Sequence, residues 1–174
     1  FLTDGASSGV KQMISFLLKG PSDAVMCPIP QYPLYSATLT LLNGTFVGYH
    51  LNEEDGWALD VTQLEKIWDE YQGKIVALVI INPGNPTGQC LDLETIRDIV
   101  KFCDERNIVI LADEVYQENV YSTIPFTSFR KVVKEMNSKT QLVSFHSGSK
   151  GVVGECGARA GYFHLTNFNP TITQ

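Results

Sequence analysis

Apolar, β-branched runs alternate with amphipathic segments along most of the chain. Six runs predict strands, several of them too uniformly apolar to have a solvent-facing side: AVMC at 24–27, TFVGYHL at 45–51, KIVALVII at 74–81, IVILADE at 108–114, QLVSFH at 141–146 and AGYFHL at 160–165. Five segments between them have helical patterns: SSGVKQMISFLLKG, YPLYSATLTLLNG, DVTQLEKIWDEY, DLETIRDIVKFCDER and SFRKVVKEM. This alternation predicts an α/β fold with a mostly parallel sheet and helices on both faces.

The length and composition are those of a globular chain. With 174 residues, of which 44% are hydrophobic and 18% charged, it is long enough to bury a sizeable core, and no linker interrupts it. We therefore expect one α/β domain over residues 1–174. The net charge of -6 comes without a basic stripe, which argues against nucleic acid as a partner. The longest apolar run, IVALVII at 75–81, is too short to cross a bilayer, so no membrane helix is predicted.

The cysteines indicate a reducing compartment. The chain has four cysteines, Cys27, Cys90, Cys103 and Cys156. They form no CxxC pair and have no metal-ligand spacing with the three histidines, so no metal site is predicted. An intracellular and most simply cytoplasmic location is expected. The sequence starts at Phe1 without a leader, so organelle targeting by residues further upstream stays open.

The first segment whose residues could bind a ligand is TDGASSGV at 3–10. Asp4 or a nearby serine is expected to cap a helix, and Gly5 to turn the backbone so that the amides of Ala6, Ser7 and Ser8 point outward. That arrangement is a phosphate cradle, and an ordinary capped helix is the alternative. Neither a Walker A loop nor GxGxxG occurs, which argues against nucleoside triphosphates and dinucleotides.

Two further loops follow predicted strands, where ligands collect in open α/β sheets. INPGNPTGQ at 81–89 is stiffened by its prolines and would hold Asn82 or Asn85 toward a ligand, unless it is only a connecting turn. LADEVYQENVY at 111–121 places Asp113 at a strand end, as a helix cap or as a buried charge that requires a cationic partner. Tyr116 would face the same side if a helical turn begins there.

The segment SFHSGSKGVVGECGAR at 144–159 supplies a lysine and an arginine. The amine of Lys150 would be able to attack a carbonyl, and the guanidinium of Arg159 is a fork suited to phosphate. Ser147 or Ser149 would add a hydroxyl. Together with the other loops, these groups describe a site for pyridoxal phosphate.

The motifs LTDGAS, PIPQYPLYSATL, NPGNPTGQ, LADEVYQENVY and SFHSGSKG..GECG.R.GY occur in this order over nearly the whole chain. In them the sequence resembles the large, cofactor-binding domain of the aspartate aminotransferase superfamily, most closely the alanine aminotransferases. The resemblance implies a homodimeric enzyme that uses pyridoxal phosphate to convert L-alanine and 2-oxoglutarate into pyruvate and L-glutamate.

The resemblance also implies a role for each matching residue. Lys150 would form the Schiff base and carry the proton at the substrate α-carbon, and Asp113 would pair with the pyridinium nitrogen. Asn85 and Tyr116 would hold the phenolic oxygen, and Tyr32 would stack on the ring. The phosphate would contact the amides of Ala6 and Ser7 and the side chains of Ser147 and Arg159.

The sequence departs from the family pattern in two respects. Val152, Val153 and Ala160 stand where an aromatic or Met pair and a glycine are expected, which matters for Ala160 if that position requires a positive φ. The family binds the substrate carboxylate through a C-terminal small domain, whereas the sequence ends at Gln174. We therefore expect a fragment, without the N-terminal segment and the small domain, that binds the cofactor at best.

Two other classes of protein stay open on the sequence. One is a truncated or decayed aminotransferase copy without catalytic activity, which no residue excludes. The other is a serine hydrolase, because Ser147 and Lys150 satisfy SxxK; that motif should open a helix.

Overall fold

A computed structural model describes residues 1–71 and 73–172. All six predicted strands and all five predicted helices are present. The elements are, in chain order, β1 Leu2–Thr3, α1 Gly5–Leu17, β2 Ala24–Ile29, α2 Leu34–Leu41, β3 Thr45–His50, a 3-10 turn Glu53–Asp55, α3 Val61–Tyr71, β4 Ile75–Ile81, α4 Leu93–Arg106, β5 Val109–Asp113, α5 Phe129–Glu135, β6 Leu142–Ser147, β7 Gly161–Thr166 and a 3-10 turn Pro170–Ile172.

The strands form one sheet in the order β1-β7-β6-β5-β4-β2-β3. Strands β2 to β6 pair in parallel, while β7 and β1 are antiparallel to their neighbours at one edge. The predicted mostly parallel α/β fold is thus confirmed. Strand β1 was not predicted, because two residues are too few to show a periodic pattern.

Both faces of the sheet are buried, which explains why β4 is apolar without alternation. Leu78 and Ile80 point into a core shared with α3, α4 and α5. Ala77 and Val79 point to the other face, into a core shared with α1 and α2. The helices therefore lie on both sides of the sheet, as expected for parallel strands.

The same alternation decides where polar residues at the strand ends point. In β5, Leu111 belongs to the core beneath α1 and α2, so Asp113, two residues later, faces that side. In β6, Phe145 belongs to the same core, and Ser147 follows two residues later. Asp113 pairs with Phe145 across the two strands. Both polar residues therefore lie at the carboxyl edge of the sheet, on the α1 side.

One predicted helix cap is wrong. Asp4 occupies the N-cap position of α1, but neither its side chain nor that of a nearby serine makes a capping hydrogen bond. The Asp4 carboxylate instead lies 3.4 Å from Nε of Arg159, to which it is drawn by opposite charge. By contrast, the Asp92 side chain caps α4 by accepting a hydrogen bond from the Thr95 N–H at 2.8 Å. The first amides of α1 are therefore left without a side-chain cap.

Candidate active site

A cavity of about 260 Å³ opens where the carboxyl ends of β4, β5 and β6 meet the beginning of α1. The nine residues predicted for the site all line it: Ala6, Ser7, Tyr32, Asn85, Asp113, Tyr116, Ser147, Lys150 and Arg159. The structure thus brings together residues that are up to about 150 positions apart in sequence. The role of each one is still a prediction.

Asp113 is the buried charge of the cavity. Its side chain is 7% exposed, and Oδ2 accepts a hydrogen bond from the Tyr35 hydroxyl at 2.7 Å. Its other oxygen, Oδ1, is buried without a hydrogen bond of normal geometry among the described residues. Burial raises the pKa of Asp113, and the hydrogen bond from Tyr35, the backbone N–H of Val115 and the charge of Lys150 oppose that rise. The carboxylate therefore has one oxygen fixed by the protein and one left to accept a donor.

Tyr35 is a residue of the site that sequence reasoning missed. It lies in α2, is fully buried, and has a pKa well above its usual value because of burial and the neighbouring Asp113 carboxylate. The hydroxyl therefore stays protonated and acts as a donor. No local pattern pointed to Tyr35, because its partner Asp113 lies 78 positions away in the sequence.

Asn85, Tyr116 and Lys150 form a second group in the cavity. The Asn85 amide donates a hydrogen bond to the Tyr116 hydroxyl at 3.2 Å. The Lys150 amine lies 5.3 Å from the centre of the Tyr116 ring, within the range of a cation–π contact. The sequence offered Asn82 as an alternative to Asn85. Asn82 instead accepts a hydrogen bond from the Leu91 N–H at 3.0 Å, so it braces the loop and does not line the cavity.

The third group, here called the anion corner, consists of Gly5, Gly161, Ser7 and Arg159 around the first amides of α1. Gly5 has a φ of +72°, and a Cβ at this position would lie 2.3 Å from Nη2 of Arg159. A Cβ on Gly161 would lie 2.5 Å from the Gly5 carbonyl carbon and 2.6 Å from the Ala6 nitrogen. The two glycines therefore let the guanidinium and β7 approach the first amides of α1 closely. Ser7 completes this corner at the positive end of the helix.

None of the three residues that depart from the family pattern lies in the buried core of the described chain. Val152 and Val153 are 91% and 79% exposed, so they do not pack in the core. Ala160 does not have a positive φ, so a glycine is not required there. Its carbonyl accepts a hydrogen bond from the Gly148 N–H at 2.8 Å, which closes the base of the loop.

The geometry does not support the serine hydrolase. Ser147 is the last residue of β6 and is followed by turns, where SxxK should open a helix. Its hydroxyl accepts a hydrogen bond from the Ser149 N–H at 3.2 Å.

Comparison with known proteins decides the family. The sequence profile described as "Aminotransferase class I and II" matches residues 2–167. The chain belongs to this family. The resemblance noted in the sequence motifs is therefore confirmed.

Named relatives of this aminotransferase chain include alanine aminotransferases. It is 58% identical to "Probable alanine aminotransferase, mitochondrial" of Dictyostelium discoideum, over 95% of the chain and 32% of that protein. It is 50% identical to "Glutamate--glyoxylate aminotransferase 1" of Arabidopsis thaliana, over 100% of the chain and 38% of that protein. The chain thus spans about a third of the length of these curated relatives.

Solved aminotransferase structures share the fold. An aminotransferase from Escherichia coli superposes with a TM-score of 0.88 at 26% identity, over 98% of the chain and 40% of that structure. The alanine aminotransferase from Pyrococcus furiosus superposes with a TM-score of 0.82 at 26% identity, over 94% of the chain and 39% of that structure. Within the described ranges, no helix of this aminotransferase chain has both the length and the apolar character needed to cross a membrane.

Membership of the aminotransferase family implies dependence on pyridoxal phosphate in general, and the cavity fits that group. Oδ1 of Asp113 is buried and makes no hydrogen bond of normal geometry with the described residues, so it can accept one from a protonated ring nitrogen. The corner formed by Gly5, Gly161 and Arg159 suits a phosphate, and the Lys150 amine lies in the same cavity.

Proposed function

We propose that residues 1–174 form the pyridoxal-phosphate-binding large domain of an alanine aminotransferase. The whole protein would convert L-alanine and 2-oxoglutarate into pyruvate and L-glutamate. The observation that carries the proposal is the buried Asp113 carboxylate, whose Oδ1 makes no hydrogen bond of normal geometry with the described residues, in the same cavity as the Lys150 amine. The names of the relatives support the choice of alanine as amino donor.

Each group of the cavity has a distinct task in this proposal. Asp113 would accept a hydrogen bond from the ring nitrogen and keep that nitrogen protonated, while Tyr35 fixes the orientation of the carboxylate. Asn85 and Tyr116 would donate to the phenolic oxygen. Tyr32, which is 47% exposed, would cover the ring. When bound, the cofactor supplies a carbonyl carbon that takes the amino group and a ring that accepts electrons.

The remaining groups would hold the phosphate and move the proton. The amides of Ala6 and Ser7, the Ser147 hydroxyl and the Arg159 guanidinium would bind the phosphate. The Lys150 amine would anchor the cofactor covalently and, once freed, carry a proton from the α-carbon of the substrate.

We expect the isolated chain to bind the cofactor with little or no transamination. Among the described residues that line the cavity, Arg159 is the arginine, and its guanidinium would be occupied by the cofactor phosphate. Recognition of the substrate carboxylate would therefore require a further group from the whole protein, which we propose to be a homodimer. Robust turnover of L-alanine and 2-oxoglutarate by the isolated chain would contradict this expectation.

Thermal unfolding with three ligands tests the proposal. Pyridoxal phosphate should raise the midpoint in proportion to the logarithm of its concentration, and inorganic phosphate should raise it less. Pyridoxine 5′-phosphate, which lacks the aldehyde, should fall between them in the wild type. In Lys150→Ala the advantage of pyridoxal phosphate over pyridoxine phosphate should disappear. A wild-type midpoint that pyridoxal phosphate does not move would instead favour the truncated copy without a functional site.

A further inference from the structure

Lys150 lies in a loop that makes few hydrogen bonds to the rest of the described chain. Residues 148–160 connect β6 to β7, and most of their side chains are exposed. Several hydrogen bonds of the loop are internal, among them the one from the Gly154 N–H to the Lys150 carbonyl at 3.4 Å. Such bonds do not set the position of Lys150 relative to the opposite wall of the cavity.

Asn119 joins the loop that carries Lys150 to the loop that carries Tyr116. Its Oδ1 accepts a hydrogen bond from the Gly151 N–H at 3.1 Å. Its own backbone N–H donates to the Tyr116 carbonyl at 2.7 Å. Asn119 thus connects the residue that follows Lys150 to the residue whose ring lies 5.3 Å from the Lys150 amine. Among the described residues, it provides the hydrogen bond that joins the β5–α5 loop to the β6–β7 loop.

The backbone of Gly151 is shaped for this contact. Its φ is +67°, and a Cβ built on it would lie 3.4 Å from both Cβ and Cγ of Glu118. A left-handed conformation here turns the N–H toward Asn119 without strain in a glycine. The side chain of Glu118 therefore lies next to the space that a side chain at position 151 would fill.

We infer that Asn119 is a positioning residue that fixes the Lys150 backbone against Tyr116 and so places the amine for reaction. This inference rests on the proposed function of Lys150. A lysine stem is long and flexible, so the amine is placed by its backbone anchor as well as by its own contacts. Displacement of a reacting group by about 1 Å can lower a rate by about 100-fold.

The test uses the full chain and pyridoxal phosphate as the probe. Borohydride trapping over time, followed by peptide mapping, gives the labelling rate at Lys150 and, in the same sample, at the other lysines. Asn119→Ala should slow labelling at Lys150 by about ten-fold or more and leave the other lysines unchanged. Asn119→Asp keeps an oxygen acceptor for the Gly151 N–H and should restore the rate to within about three-fold.

Two controls separate positioning from general disruption. Tyr121→Phe removes the hydroxyl that accepts a hydrogen bond from the Asn119 amide at 3.3 Å, and Tyr121 is 89% exposed, so the rate at Lys150 should not change. Pyridoxine 5′-phosphate should bind Asn119→Ala as tightly as the wild type, because the lysine does not react with it.

The results that would overturn the inference are distinct from those that would overturn the proposed function. Wild-type labelling at Lys150 in Asn119→Ala would refute the positioning role. Equal loss in Asn119→Ala and Asn119→Asp, with pyridoxine phosphate binding also lost, would show a structural role and refute it too. Failure of the wild type itself to label at Lys150 would refute the proposed function, and the inference with it.

Discussion

The hydrogen bond from Tyr35 to Asp113 makes a prediction that needs no cofactor. Tyr35→Phe keeps the buried ring and removes the hydroxyl that donates to Oδ2 at 2.7 Å. Oδ1 makes no hydrogen bond of normal geometry with the described residues, so the variant carboxylate would be buried without one from any of their side chains. A hydrogen bond to a charged group is worth about 1.5–3 kcal/mol. We expect a loss of roughly 2 kcal/mol in the free energy of unfolding near neutral pH, which for a chain of this size is a fall of roughly 4–8 °C in the midpoint.

The loss should depend on pH in a definite direction. Folding raises the pKa of Asp113 through burial, so the native state binds its proton more tightly and is penalised when the carboxyl is ionised. The Tyr35 hydroxyl lowers that pKa, and its removal raises it further. The stability difference between wild type and Tyr35→Phe should therefore be largest above the raised pKa and shrink as the pH falls through it.

A second buried tyrosine provides the matched control. The Tyr49 hydroxyl donates to the neutral Val79 carbonyl at 2.8 Å, and the side chain is 2% exposed. Tyr49→Phe should cost about 1 kcal/mol, independent of pH. Urea unfolding of the two variants and the wild type, followed by tryptophan fluorescence at a series of pH values from about 8 down to about 4, measures both differences. If the deficits of the two variants vary with pH in the same way, the reasoning about Asp113 is refuted.

Three further predictions concern stability and the anion corner. Burial raises the pKa of Glu114 from 4.5 to about 7, so the stabilisation by its protonated form is complete below about pH 4.5 and is lost as the pH rises through 7. The free energy of unfolding should therefore fall by about 3 kcal/mol over this range in urea unfolding, and Glu114→Gln should abolish the fall. Gly161→Ala would press a methyl group against the backbone of residues 5 and 6 and should cost about 1–3 kcal/mol, whereas Gly20→Ala, with open space around it, should change stability by less than about 0.5 kcal/mol. Arg159→Lys replaces a fork by a point charge and should weaken binding of pyridoxal phosphate about ten-fold in a fluorescence titration; unchanged affinity would remove Arg159 from the phosphate site.

The sequence was sufficient for the fold because the apolar runs are long and β-branched and are separated by turn residues. It also placed Asp113 correctly at the end of an apolar strand. Local patterns could not reveal contacts between distant segments. The bond from Tyr35 to Asp113 spans 78 positions and the bond from Asn119 to Gly151 spans 32, so neither leaves a periodic signal.

Asp4 was misassigned for a related reason. The sequence around it matches a helix cap, and the guanidinium that draws its carboxylate away comes from Arg159, at the far end of the chain. The cap preference of an exposed aspartate is worth about 1 kcal/mol, which a nearby charge can offset.

The central claim is that Lys150 is the residue that anchors the cofactor in this cavity. The direct measurement is borohydride reduction of the chain with one equivalent of pyridoxal phosphate, followed by peptide mapping, with Lys150→Ala and the exposed Lys139→Ala as a matched pair. The account predicts one dominant modified lysine, at position 150, which is lost in Lys150→Ala and retained in Lys139→Ala. Modification spread over many lysines, with the same total in Lys150→Ala as in the wild type, would contradict it.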